Sequence, residues 1–147
     1  MTVRGDRRII RVRSTKVPEP TDGRFSNCLL VDGVAYIAGM TASEAAVSAV
    51  RENAGATGPE SDEVYWQAKI IFEKIKQLLV CAGGGMADVV KITVYVLDTN
   101  QRQGVWRARQ EAFVGDFPTA TMVQVGALAN PSYKVEIDAI AHIGSGG

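Results

Sequence analysis

The chain has 147 residues, the length of one ordinary domain, and its 16 Lys plus Arg balance 16 Asp plus Glu. Apolar residues at 46% and charged ones at 22% are globular proportions and exclude wholesale disorder. Zero formal net charge argues against a dedicated nucleic-acid binder, whose affinity comes from excess positive charge meeting phosphates. Cys28 and Cys81 form no CxxC pair, and His142 is the only histidine, so no Cys/His zinc cluster exists. Buried free thiols are expected rather than a disulfide. Uninterrupted apolar runs reach only five residues, and the first residues contain no apolar segment of signal-peptide length. A cytoplasmic protein without a membrane span is expected.

Positions 7–13 alternate, with Ile10 and Val12 separated by Arg11 and Arg13, and predict a half-buried strand. The six basic residues at positions 4–16 suit the charged outer face of an edge strand, which discourages edge-to-edge pairing. Positions 28–31 and 34–38 are apolar runs joined by Asp32-Gly33, a pair that tolerates the positive φ angles of a two-residue hairpin. Positions 41–61 are rich in Ala, Ser, Gly and Glu. They accommodate a short helix at 44–50, and otherwise form a long loop able to close over a site.

Val64, Ala68, Ile71, Ile75, Leu78 and Leu79 fall on one helical face, with Glu60, Asp62 and Glu63 where the helix dipole favours negative charge. Gly83 ends that helix. Positions 89–97 predict a strand with Val90, Ile92, Val94 and Val96 on one side and Lys91, Thr93, Tyr95 and Leu97 on the other. Asn100 is placed to cap a second helix through Val105, Ala108, Ala112 and Phe113, which Pro118 bars from continuing. Two last strands, at 119–125 and 134–143, flank a turn containing Asn130-Pro131.

The order β-β-β-α-β-α-β-β describes a single α+β domain over residues 1–147, with two main helices on one face of an antiparallel or mixed sheet. The opposite face, carrying Thr93, Tyr95 and Leu97, is too mixed for a core and too apolar to stay wet. Self-association into a closed ring covers it most simply.

Gly83-Gly84-Gly85 lacks the Lys-Ser/Thr of a phosphate cradle and reads as a helix terminator with a turn. His142 has no placed nucleophile or carboxylate beside it and reads as a strand residue. Neither cysteine has a neighbouring histidine to lower its thiol pKa. Glu136 and Asp138 are different. Strand alternation puts both on one face, opposite Val135, Ile137 and Ala139. Two carboxylates on a partly enclosed face can raise one pKa into a range suited to proton transfer, whereas a solvated face paired with Lys134 or an arginine would be inert.

The hairpin leading to Ala38-Gly39, the stretch Asp88-Val89-Val90-Lys91-Ile92-Thr93-Val94, the segment from Phe117-Pro118 to Val123-Gln124-Val125, and Val135-Glu136-Ile137-Asp138-Ala139-Ile140-Ala141 together resemble the RidA/YjgF family over residues 8–143. The resemblance implies a homotrimer with a chorismate-mutase-like α+β fold and ligand sites in clefts between subunits. Archetypal members hydrolyse reactive enamines and imines, releasing ammonia and a keto acid. Glu136 matches the family glutamate that orients or activates water. Gly39 matches the glycine lining the cleft, with Met40 in place of the usual glutamine. Phe25 stands where a tyrosine is common, and Met122 where a cysteine is frequent. The family's substrate-anchoring arginine corresponds to Ala120, and its asparagine on the second helix to Trp106.

Alanine offers none of the two charge-assisted hydrogen bonds that an arginine gives a carboxylate, a loss worth about a hundredfold in binding. Arg107, Arg109 and Lys91 are the cations available to replace it. The implied activity is that of a divergent RidA-like hydrolase or deaminase acting on a small imine or enamine. Glu136 would position water, Phe25 and Trp106 would form an aromatic wall, and backbone N–H groups of Ala120, Thr121 and Met122 would face developing negative charge. The alternative is a non-catalytic trimer binding a small metabolite. An endoribonuclease or translation inhibitor, as some relatives are described, ranks below both. No cofactor or metal is expected.

Overall fold

Alternating and three-to-four apolar periods sort the chain into strands that form one six-stranded sheet and helices that cover it. The computed structural model describes residues 8–55 and 63–147. In chain order the elements are β1 (Ile9–Val12), β2 (Cys28–Val31), β3 (Val34–Met40), α1 (Glu44–Asn53), α2 (Glu63–Cys81), β4 (Val89–Val96), α3 (Arg102–Ala112), β5 (Thr119–Gln124) and β6 (Val135–His142). Their spatial order is β1-β2-β3-β6-β4-β5. Only β4 and β5 run parallel, so their connection has to be a crossover, and α3 supplies it.

The hairpin predicted at Asp32-Gly33 forms with φ of 49° and 79°, and it registers Val31 opposite Val34. On α2 the six residues singled out by spacing are all buried. That helix ends at Gly83, whose φ is 91°; the N–H groups of Gly83 and Gly84 donate to the carbonyls of Val80 and Leu79 at 3.1 and 2.8 Å. Sequence reasoning overlooked Gln67. It is fully buried, donates to the Ser132 carbonyl at 2.9 Å and accepts from the Lys134 N–H at 2.9 Å, tying α2 to the segment entering β6.

Several expectations change. The segment after β3 contains a third helix, α1, capped by Ser43 Oγ accepting the Ala46 N–H at 3.1 Å; positions 56–62, including Glu60 and Asp62, lie outside the described residues. So do Arg4 and Arg7 of the basic N-terminal stretch. In β1 only Val12 is buried and Ile10 is 48% exposed, because this short strand pairs with β2 alone at the sheet edge. A register shift against β6 between Val89 and Lys91 turns Val89 inward and leaves Val90 exposed.

The cap before α3 is Asp98, which accepts the Asn100 N–H at 2.9 Å and starts a 3-10 turn that leads into the helix. The last two strands are not neighbours. Residues 125–134 carry the chain from β5 past β4, and β6 enters the middle of the sheet, which is why Val135, Ile137, Ala139 and Ala141 are buried. Both cysteines are free, but only Cys28 is buried; Cys81, at the end of α2, is exposed. No described helix is long and apolar enough to cross a membrane.

Candidate active site

Because β6 alternates in the middle of the sheet, its polar positions emerge on the face that the helices leave open. There β4 sets Tyr95 opposite Glu136 and Thr93 opposite Asp138. The Tyr95 hydroxyl donates to Asp138 Oδ2 at 3.2 Å. Glu136 is half-buried, and burial, then the charge of Asp138, pushes its carboxyl above the ordinary glutamate range. The Tyr95 phenol is pushed up as well, first by the Asp138 charge and then by burial.

On the other side of Glu136 lies β3, whose pairing with β6 is irregular between Ile37 and Met40. A Cβ at Gly39 would stand 2.8 Å from Glu136 Cδ, 2.9 Å from Oε1 and 3.0 Å from Cγ. The carboxylate therefore lies across the glycine, and a side chain there would displace it. Beside this pair, an open depression of about 500 Å3 is lined by Ser26, Tyr36, Gly39, Lys91, Thr93 and Asp138. Among the described residues Lys91 is its only lining cation.

Phe25, 55% exposed, stands in the loop before β2. Arg11 holds that loop to β1, donating to the Phe25 carbonyl at 3.1 Å and to Glu19 Oε2 at 2.6 Å. The neighbouring Asn27, missed in the sequence, is buried; its side chain donates to the Pro18 carbonyl at 2.9 Å, and its own carbonyl accepts the Ala38 N–H at 2.9 Å. A buried asparagine leaves no periodic signal to find.

The remaining sequence candidates lie elsewhere. On β5, Ala120 and Met122 register with Ile92 and Val94, which face the helices, whereas Thr121 registers with Thr93 on the open face. Trp106 is half-buried on α3, with the Arg102 guanidinium 5.5 Å from its ring centroid. Within one chain the candidates thus form two groups, Gly39 with Glu136 on one side of the sheet and Trp106, Ala120 and Met122 on the other. His142 ends β6 exposed, about 20 Å along the strand from Glu136. Arg107 is engaged on the helix layer, over the Tyr65 ring at 4.1 Å and 3.6 Å from Glu111. Among the described residues no group of three His, Cys, Asp or Glu is arranged to hold a metal ion.

A family model described as Endoribonuclease L-PSP matches residues 16–143. The chain is 29% identical over 133 residues to a 2-iminobutanoate/2-iminopropanoate deaminase of Dermatophagoides farinae, covering 90% of this chain and 96% of that protein. It is 35% identical to a protein of unknown function from Pseudomonas aeruginosa, whose crystal structure matches with a TM-score of 0.79 over 94% of each chain. The crystal structure of RidA from the Antarctic bacterium Psychrobacter sp. is 25% identical, with a TM-score of 0.71, and the match covers 91% of this chain and 99% of that one. With the family model spanning most of its length and RidA sharing its strand-and-helix frame, the chain belongs to the RidA/YjgF family.

Proposed function

We infer that the protein is a hydrolase of small imines or enamines, working in clefts between the copies of a homotrimer of chorismate-mutase-like subunits. The observation that carries this reading is the placement of Glu136, a half-buried carboxylate with a raised pKa packed over Gly39. Such a group can take a proton from the attacking water and return it to the nitrogen. Water then bonds to the imine carbon, the carbon–nitrogen bond breaks, and nitrogen leaves as ammonia. Hydrogen-bond donors come from β5. As a sheet edge, this strand has alternate N–H groups without a partner strand, so either the Thr121 N–H or those of Ala120 and Met122 can face developing negative charge.

The two-sided distribution of the candidates supports a cleft between copies, because a second subunit can bring the Trp106, Ala120 and Met122 surface to the open face of the first. The deaminase relative supports the reaction class. Replacing Glu136 by Gln should lower kcat on a panel of imines by about a hundredfold or more while leaving the folded trimer intact. An unchanged kcat would refute the role of Glu136.

One observation favours a second reading, a non-catalytic trimer that binds a metabolite: Ala120 is exposed and brings no guanidinium. Ligand binding by the wild type without turnover of any imine would select it. Action on RNA has the least support from a chain of zero net charge.

A further inference from the structure

We propose that the substrate is an imine or enamine without a carboxylate, bound as its iminium cation; this deepens, and rests on, the hydrolase reading of the site. Three features of the charge distribution support it. Glu136 and Asp138 project side by side from β6, and the partner that orients Asp138 is the neutral Tyr95 hydroxyl rather than a guanidinium or ammonium group. Gly39 on β3 contributes no charge to that pair, and the groups facing it from β4 and β3 are Thr93, Tyr95, Lys91 and Tyr36. Lys91 is exposed and registers opposite Ile140, one same-face step beyond Asp138. A ligand carboxylate laid against Glu136 would meet two like charges before it met one opposite charge.

The second group of residues points the same way. Trp106, Ala120 and Met122 offer an indole, a methyl group and a thioether. The Arg102 guanidinium beside Trp106 covers that ring and donates to the Thr99 carbonyl at 3.2 Å. Together the two surfaces recognise a flat or apolar body with a positive end. A bound cation also relieves the repulsion between Glu136 and Asp138 that helps to hold the Glu136 carboxyl above its usual range.

The reaction balances without further reagents. The water oxygen bonds to the iminium carbon and the π pair of the carbon–nitrogen bond moves to nitrogen. Glu136 takes a proton from the water and delivers it to that nitrogen. The carbon–nitrogen bond then breaks with its electron pair going to nitrogen, and the hydroxyl oxygen forms the carbonyl as it gives its proton to Glu136. Glu136 passes that proton to the released ammonia, leaving an uncharged aldehyde or ketone and an ammonium ion.

Calorimetry on the full chain with benzylamine, phenylalanine and hydrocinnamate compares a cation, a zwitterion and an anion with similar aromatic bodies. Benzylamine should bind at least tenfold tighter than the other two and gain affinity as pH rises through the raised range of the Glu136 carboxyl, because Glu136 loses its proton. Asp138→Asn should weaken benzylamine several-fold, and Ala120→Arg, at an exposed position, should shift preference toward hydrocinnamate. Equal or tighter binding of phenylalanine or hydrocinnamate, above all if Lys91→Gln abolishes it, overturns the proposal. So does benzylamine affinity indifferent to Asp138→Asn.

Turnover separates this proposal from the reading beneath it. An amine oxidase generates the imine of benzaldehyde, and an amino-acid oxidase that of phenylpyruvate. Faster hydrolysis of the first supports both, and faster hydrolysis of the second overturns the substrate class alone. Hydrolysis of neither, with the benzylamine preference intact, overturns the hydrolase alone. No binding and no turnover overturns both.

Discussion

Replacing Gly39 by Ala tests whether the glycine exists to make room for the Glu136 carboxylate. The added methyl would stand 2.8–3.0 Å from Cδ, Oε1 and Cγ of Glu136, well inside van der Waals contact. Those atoms end a flexible side chain, so the carboxylate swings away while the backbone stays. Gly39 has no positive φ, so alanine gains about 0.4–1 kcal/mol from the less disordered unfolded chain. An off-rotamer Glu136 loses about 0.5–1.5 kcal/mol, leaving stability within about 1 kcal/mol of wild type. Activity should respond quite differently, since a shift of about 1 Å in a catalytic group can cost about a hundredfold in rate. Urea unfolding and kcat measured on the same preparation give both numbers. A stability loss above about 2 kcal/mol would mean that the strand, not the side chain, yields. Full turnover would mean that the Glu136 position carries no chemistry.

Asp88 accepts N–H groups from Gly85 at 3.1 Å and Gly146 at 2.8 Å, and the latter chiefly holds its carboxyl below the usual range. Asp88→Ala should therefore cost about 2–3 kcal/mol at pH 7. Because the folded pKa is depressed, the Asp88 contribution is present above the unfolded value of about 3.9 and is lost as pH falls through the folded one. The gap between wild type and variant in urea titrations should close in acid. Gln67→Leu should cost about 2–3 kcal/mol at any pH, since it leaves the Ser132 carbonyl and Lys134 N–H without their partner. A loss below about 0.5 kcal/mol would show that water replaces the amide. Burial pushes the Cys28 thiol up to about 11, so in the folded protein a disulfide reagent should modify Cys81 quickly and Cys28 only on unfolding. Equal rates would refute the burial of Cys28.

Strand and helix identities were legible because they depend on neighbours a few positions apart. The α2 face, the Asp32-Gly33 hairpin and the β6 alternation are all patterns of this kind. The departures have other causes. Alternation groups Val90 with Ile92, Val94 and Val96, because a bulge in pairing with β6 is invisible from β4 alone. The pattern offers Asn100 as the cap because the Asp98 turn ahead of α3 interrupts the helical period. Gln67 and Asn27 escaped notice because a buried amide satisfied by distant carbonyls has no periodic signature.

For the candidate site, the sequence by itself determined that Glu136 and Asp138 share a face, since alternation along an extended backbone allows nothing else. Tertiary structure alone decided that β6 enters between β3 and β4, that Gly39 lies under the Glu136 carboxylate, and that Trp106, Ala120 and Met122 face away from it. Strand order arises from how the whole sheet buries its apolar side. No local preference of a few residues encodes which strand becomes the central one.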